Sequence, residues 1–306
     1  MLTTHSIPST RDIPIARPTV PLRILVGSSG EPSSTGAIRV ASALAARAEV
    51  QVHLVAATTP AVHPPTIGGD GPTPTVANED HRRETLEAAR KQLERVPAAD
   101  EWNVRSVVGW PAESILDEAK HWGASVIVIG VGRHRVIDRF SGTETAVAIA
   151  RRSDVPVMAV PADVARLPVR VLAAIDFSEP SKTAARLAAT FMQPDGTLVL
   201  GHVSSIHAGN RPSVIDRDNA DSLVALEELA MELRKRGGPR VHTHVMAGDV
   251  AEALLRFARE EHCDMIAVGG QARRMVDGVI FGSVRTKLLR DGSGTVLIAP
   301  QARRCS

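Results

Sequence analysis

Short apolar runs recur along this chain at spacings that fit strands separated by helices. The first five lie at 23–29 (RILVGSS), 50–58 (VQVHLVAAT), 102–108 (WNVRSVV), 125–130 (SVIVIG) and 155–160 (VPVMAV). A run such as VIVIG is too continuously apolar for a strand wetted on one face; it predicts a parallel sheet covered on both sides. The intervening stretches predict helices over 33–48, 78–96, 111–122 and 142–152. Pro32 suits a first helical turn, Asn78 an N-cap, and Gly123 a C-terminal stop. The Pro- and Gly-dense segment 59–76 predicts a loop.

The pattern then restarts. The EPS step of 31–33 recurs at 179–181 behind a similar apolar run, and the remaining elements follow in the same order. Helices are expected over 181–192, 217–236, 249–262 and from 282, with strands over 197–203, 240–247, 264–269 and 295–299. This is an internal duplication of a five-strand β-α unit. Two domains are expected, 22–161 and 169–300, joined by a linker at 162–168. Tails of 1–21 and 301–306 flank them, the first expected to be flexible.

Composition narrows the classes. The chain has 306 residues, of which 43% are hydrophobic and 23% charged, so each half has enough material for a core. Aromatics make up 3% and tyrosine is absent, which argues against base-stacking platforms for single-stranded nucleic acid. A net charge of +2 argues against a broad polyanion surface. Two cysteines make no disulfide framework and fit a reducing, cytoplasmic setting. No apolar run approaches the ~18 residues of a membrane span.

Candidate chemistry lies in 264–284, where a short apolar strand meets Gly269 and Gly270, a basic loop, and a Gly282-Ser283 step opening a helix. Glycine admits close approach of an anion, and a helix N-terminus offers unpaired N–H groups. A related stretch spans 125–145. Loop arginines (Arg133, Arg135, Arg139, Arg273, Arg274) could clamp phosphates, although loop arginines are commonly just solvated. His242 and His244 share a strand face without an evident third metal ligand, and Cys263 reads as a small apolar residue. No Walker lysine motif and no candidate catalytic base are present.

The duplicated unit resembles a tandem universal stress protein. The likeness rests on AIDFSEPS with Asp176, on GHV at 201–203, on Gly248 before DVAEALLRFAREEHCD, and on the glycine loop closing in Gly-Ser. It implies two flavodoxin-like α/β domains of the adenine nucleotide α-hydrolase-like kind. Each would hold a five-stranded parallel sheet of order 3-2-1-4-5, the two packed through their fifth strands. It implies ATP as ligand, with Mg2+ as a companion, and any hydrolysis slow. In the nucleotide-binding branch a glycine, two residues, a second glycine, nine residues, then Gly-Ser or Gly-Thr hold phosphates. The strand-one aspartate and the backbone after strand two hold the adenosine.

Carried over, the second half offers Asp176, Val203, Gly269, Gly270, Ala272, Arg273, Gly282 and Ser283, with Ala272 at the second glycine position. The first half offers Gly130, Gly132, Gly142 and Thr143, with Ser28 at the aspartate position and one residue too few between its first two glycines. The second half therefore ranks first. The expected function is a cytoplasmic stress-response regulator that binds an adenine nucleotide and acts through an unidentified protein partner, with homodimerisation compatible. The alternative is a stress protein that binds no nucleotide and acts by protein contacts alone.

Overall fold

The computed structural model describes residues 22–47, 49–59, 74–97, 99, 101–132, 142–204, 212–270 and 282–300. In the first half they form β1 (Leu22–Ser28), α1 (Thr35–Ala45), β2 (Val50–Thr58), α2 (Pro74–Leu93), β3 (Asn103–Val108), α3 (Pro111–Trp122), β4 (Val126–Val131), α4 (Gly142–Arg152) and β5 (Val157–Pro161). The second half repeats them as β6 (Arg170–Ala174), α5 (Glu179–Phe191), β7 (Thr197–Ser204), α6 (Pro212–Lys235), β8 (Arg240–Ala247), α7 (Val250–Glu260), β9 (Met265–Val268), α8 (Gly282–Asp291) and β10 (Thr295–Ile298).

Local chemistry accounts for several boundaries. Gly123 ends α3 in the left-handed region at φ 71° and donates its N–H to Ala119. Asp249 caps α7, its carboxylate accepting from the Glu252 N–H at 3.0 Å. Three helices start earlier than the spacing predicts, each with a proline at its first or second position; α5 does so by two residues, at Glu179 before Pro180. α2 begins at Pro74, inside the segment expected to be loop, and α6 begins at Pro212. Proline is tolerated in a first turn, so a Pro-rich run can hide a helix start.

All ten strands join one sheet in the order β3-β2-β1-β4-β5-β10-β9-β6-β7-β8. Within each half every pairing is parallel, and the halves meet where β5 and β10 pair antiparallel, Leu297 facing Met158. Alternation along each strand sends side chains to two separate cores. Ile24 and Val26 join the core under α1, α2, α5 and α6, whereas Leu25 joins the one under α3, α4, α7 and α8. The segment 162–168 is not a loose tether: Leu167 is fully buried in the first of these cores.

The antiparallel join has a functional consequence. In open α/β sheets, ligands bind beyond the carboxyl ends of the strands where strand order reverses. The reversals fall between β1 and β4 and between β6 and β9. Because the halves run in opposite directions, the two crevices open at opposite edges of the common sheet.

Candidate functional site

In the second half, β6 ends at Ala174 and the chain turns through Asp176 and Phe177 into α5. The Asp176 carboxylate accepts from the Ser178 N–H at 3.0 Å and from its hydroxyl at 2.5 Å. Ser178 in turn caps α5, and the Ser181 hydroxyl accepts from the Asp176 N–H at 3.3 Å while donating to the Ser178 carbonyl at 2.9 Å. These bonds fix the carboxylate at the mouth of the crevice. Phe177 stands in the left-handed region at φ 63°. Such a conformation costs a bulky residue roughly 1–3 kcal/mol and persists where its surroundings hold it. Its ring packs on His202 at 4.7 Å, and His202 Nδ1 lies 2.7 Å from the Ile175 carbonyl, tying the ends of β6 and β7 together.

A cavity of about 500 Å³ lies at this point, and Asp176, Val203 and Gly269 line it. That volume suits a nucleotide-sized molecule. Gly270 is buried directly after Gly269 and is not part of the lining. Gly282 opens α8 with Ser283 beside it, and Val284 and Arg285 from the same turn face the cavity. Ala272, Arg273 and the other loop arginines named above lie outside the described residues.

Gly269 also has a structural reason to be glycine. A Cβ there would come within 2.7 Å of the Ser181 backbone nitrogen, so its absence lets the first turn of α5 sit on the end of β9. Gly130 does the same in the first half, where a Cβ would collide with the Ser33 carbonyl oxygen.

Arg285 is the functional candidate that spacing alone overlooks. It is half-buried, and both burial and the positive charge of Arg151 push its pKa below the usual guanidinium value. Among the described residues no carboxylate pairs with it.

The first half is built differently at the same place. The position that matches Asp176 is Ser29, not Ser28 as the EPS step implies: Ile24 pairs with Val126, four residues before Gly130, as Val171 pairs with Met265, four residues before Gly269. The Ser29 N–H donates to the Ser34 hydroxyl at 3.2 Å, as that of Asp176 does to Ser181. Ser28, one residue earlier, is 5% exposed; it donates to Gln92 at 3.2 Å and accepts from the Gly30 N–H at 3.0 Å. It seals a turn rather than lining a crevice. Gly130 and Gly132 stand at and just beyond the end of β4, and Gly142 opens α4. Thr143 is buried with its hydroxyl 3.5 Å from the Gly132 carbonyl. Ser28, Gly130, Gly132, Gly142 and Thr143 do not line the neighbouring cavity of about 730 Å³, whose walls include Ser29, Glu31, His81, Glu84, Glu144 and Thr145.

The other titratable candidates have local partners. His244 stacks on Phe257 at 4.7 Å. The Cys263 thiol is raised to about 11, chiefly by burial, so it stays protonated and unreactive.

Comparison with known proteins agrees with this architecture. The family model described as the universal stress protein family matches residues 22–161 and again 169–300. A universal stress protein from Archaeoglobus fulgidus shares 18% identity, with a TM-score of 0.64 over 92% of this chain and 98% of that one. A protein of unknown function from Pseudomonas aeruginosa PAO1 shares 15%, with a TM-score of 0.53 over 91% of this chain and 92% of its own. A universal stress protein solved in complex with cAMP is 22% identical over 46% of this chain and 98% of its own, with a TM-score of 0.34. A search of curated proteins gives no match. With both halves matched separately, the chain belongs to the universal stress protein family, as a tandem of two such domains.

Proposed function

We propose that the second-half crevice binds an adenine nucleotide, ATP first among them, and that its occupancy regulates the protein's contacts in a stress response. The observation that carries this reading is convergence. Three elements distant in sequence bring Asp176, Val203 and Arg285 to one cavity of about 500 Å³. A nucleotide needs an apolar slot, an acceptor for sugar hydroxyls, and positive charge for its phosphates. Ile175, Val250, Leu254 and Val268 supply the first, Asp176 the second and Arg285 the third. The donor set fits the ligand. Mg2+ would enter with the polyphosphate, whose charge it shares.

Binding and switching account for this site better than turnover. Rapid phosphoryl transfer to water requires a positioned base, and none is nominated by the sequence. A second reading, a protein-interaction module without nucleotide, draws its support from the first half, whose crevice is acid-lined and has Ser29 where the other has Asp176. The reading also takes the protein to be cytoplasmic and open to homodimerisation. Mass analysis of small molecules released from the purified full chain tests the central point: adenine nucleotide is expected. Absence of any, together with no binding at millimolar ATP, would remove the nucleotide reading and leave the interaction module.

A further inference from the structure

We infer that Arg285 makes the second-half crevice select ligands by the negative charge at their phosphate end, discriminating ATP from ADP, AMP and adenosine. The inference rests on the nucleotide reading above and adds a residue and a selectivity to it. Arg285 projects from the first turn of α8 into the cavity that Asp176, Val203 and Gly269 also line. Other arginines of the protein meet acids: Arg105 lies 2.8 Å from Glu118, Arg186 3.0 Å from Glu232, Arg234 2.9 Å from Glu227 and Arg290 2.7 Å from Glu144. Arg285 is half-buried without such a partner among the described residues.

A guanidinium does not shed its proton at physiological pH, so the cost of holding it there is not escaped by neutralisation. Its electrostatic surroundings raise that cost. Arg151, from α4 of the other half, adds like charge where α4 packs on α8. An arriving anion relieves both terms at once, and the relief grows with the anion's charge. The corresponding position of α4 is Thr145, preceded by Glu144, so this cation is not a general property of the fold. Nothing in glycine spacing would disclose it. Because Arg151 belongs to the first half, the charge of the second crevice depends on how the halves pack.

The experiment titrates the full-length chain with ATP, ADP, AMP, adenosine and inorganic tripolyphosphate by calorimetry. Wild type is compared with Arg285→Ala, Arg285→Lys and Arg151→Ala. Wild-type affinity is expected to fall in the order ATP, ADP, AMP, adenosine. Arg285→Ala should weaken ATP by roughly 10- to 100-fold, the range for a charge-assisted hydrogen bond, and leave adenosine within about twofold. Arg285→Lys should recover part of the loss, since a point charge replaces a planar fork. Arg151→Ala should weaken ATP by a smaller, salt-sensitive amount. Ligand-free melting temperature should hold or rise in Arg285→Ala, because an uncompensated charge is removed; a purely structural arginine would lower it. Equal wild-type affinity for ATP and adenosine, or unchanged ATP binding in Arg285→Ala, overturns the inference while the nucleotide reading stands. Arg285-dependent binding of tripolyphosphate without ATP or adenosine keeps the anion site and removes the adenine. No binding of any probe removes both.

Discussion

The two crevices of this protein share a scaffold and differ in what lines it. Each lies where strand order reverses, and each has a glycine ending its fourth strand against the first turn of a helix. From there they diverge. Where one presents Asp176, Val284 and Arg285, the other has Ser29, Glu144 and Thr145. The Ser29 hydroxyl accepts from the Glu31 N–H at 3.4 Å, as the Asp176 carboxylate does from Ser178, but carries no charge; Glu144 reaches across to Arg290 of the other half at 2.7 Å. The first half thus spends its residues on stabilising a turn and an inter-half contact. The glycines survive in both because packing demands them, so their presence says little about ligands; the residues that changed say more.

The same divergence runs through the layer beneath. In the first half His53 is buried against Glu118, Nε2 to carboxylate at 3.2 Å, and Arg105 closes the group at 2.8 Å. The matching layer of the second half holds Val199, Phe257 and His244, the last two stacked at 4.7 Å. One half holds a polar group where the other is largely apolar.

Breaking the glycines should have the largest effect and should strike both halves alike. Gly130→Ala and Gly269→Ala each force a methyl group against helix backbone, and each should cost about 2–3 kcal/mol of stability in a denaturant titration. A large loss at one glycine alone would mean that the shared packing explanation is wrong. Next come substitutions that should separate the halves. Asp176→Ala should weaken ATP by about 2 kcal/mol, roughly thirtyfold, as expected for loss of a charged hydrogen-bond acceptor, while Ser29→Ala leaves ATP binding unchanged. Gly282→Asp, which puts a carboxylate at the start of α8, should weaken it at least as much. Equal losses from Ser29→Ala and Asp176→Ala would place ligands in both crevices.

The smallest effect concerns pH and the buried histidine. Burial lowers the His53 pKa, and Glu118 only partly offsets this. The unfolded chain therefore takes up the proton first as pH falls below about 6.5, so stability contributed above that value is lost on acidification. His53→Val, which copies the second half's apolar layer, should flatten the pH dependence of the melting temperature below 6.5. An unchanged slope would show that other groups set it.

Much of the fold was legible as pattern, because duplication repeats each signal. Apolar runs located the strands, and Gly123 and Asp249 marked helix ends by mechanisms that act within a few residues. The start of α2 was not legible, since a proline at a first turn looks like a proline in a loop. The site was legible in part: Asp176, Val203 and Gly269 share a cavity as their positions in the repeat imply. Arg285 and Glu144 were missed because attention to the glycine spacing favours loop residues. Which side chain of the following helix turns inward depends on where that helix begins. The EPS step set Ser28 at the aspartate position, whereas the strand register sets Ser29 there, because in the first half that step follows the strand one residue sooner. The left-handed Phe177 carries no sequence signal at all.

The central claim is that one crevice of the two binds nucleotide. Calorimetric stoichiometry of ATP on the full-length protein tests it most directly. The expected result is one ATP per chain, with Asp176→Ala losing most of the affinity and Ser29→Ala retaining it. Two ATP per chain, or one whose binding ignores Asp176, would contradict it.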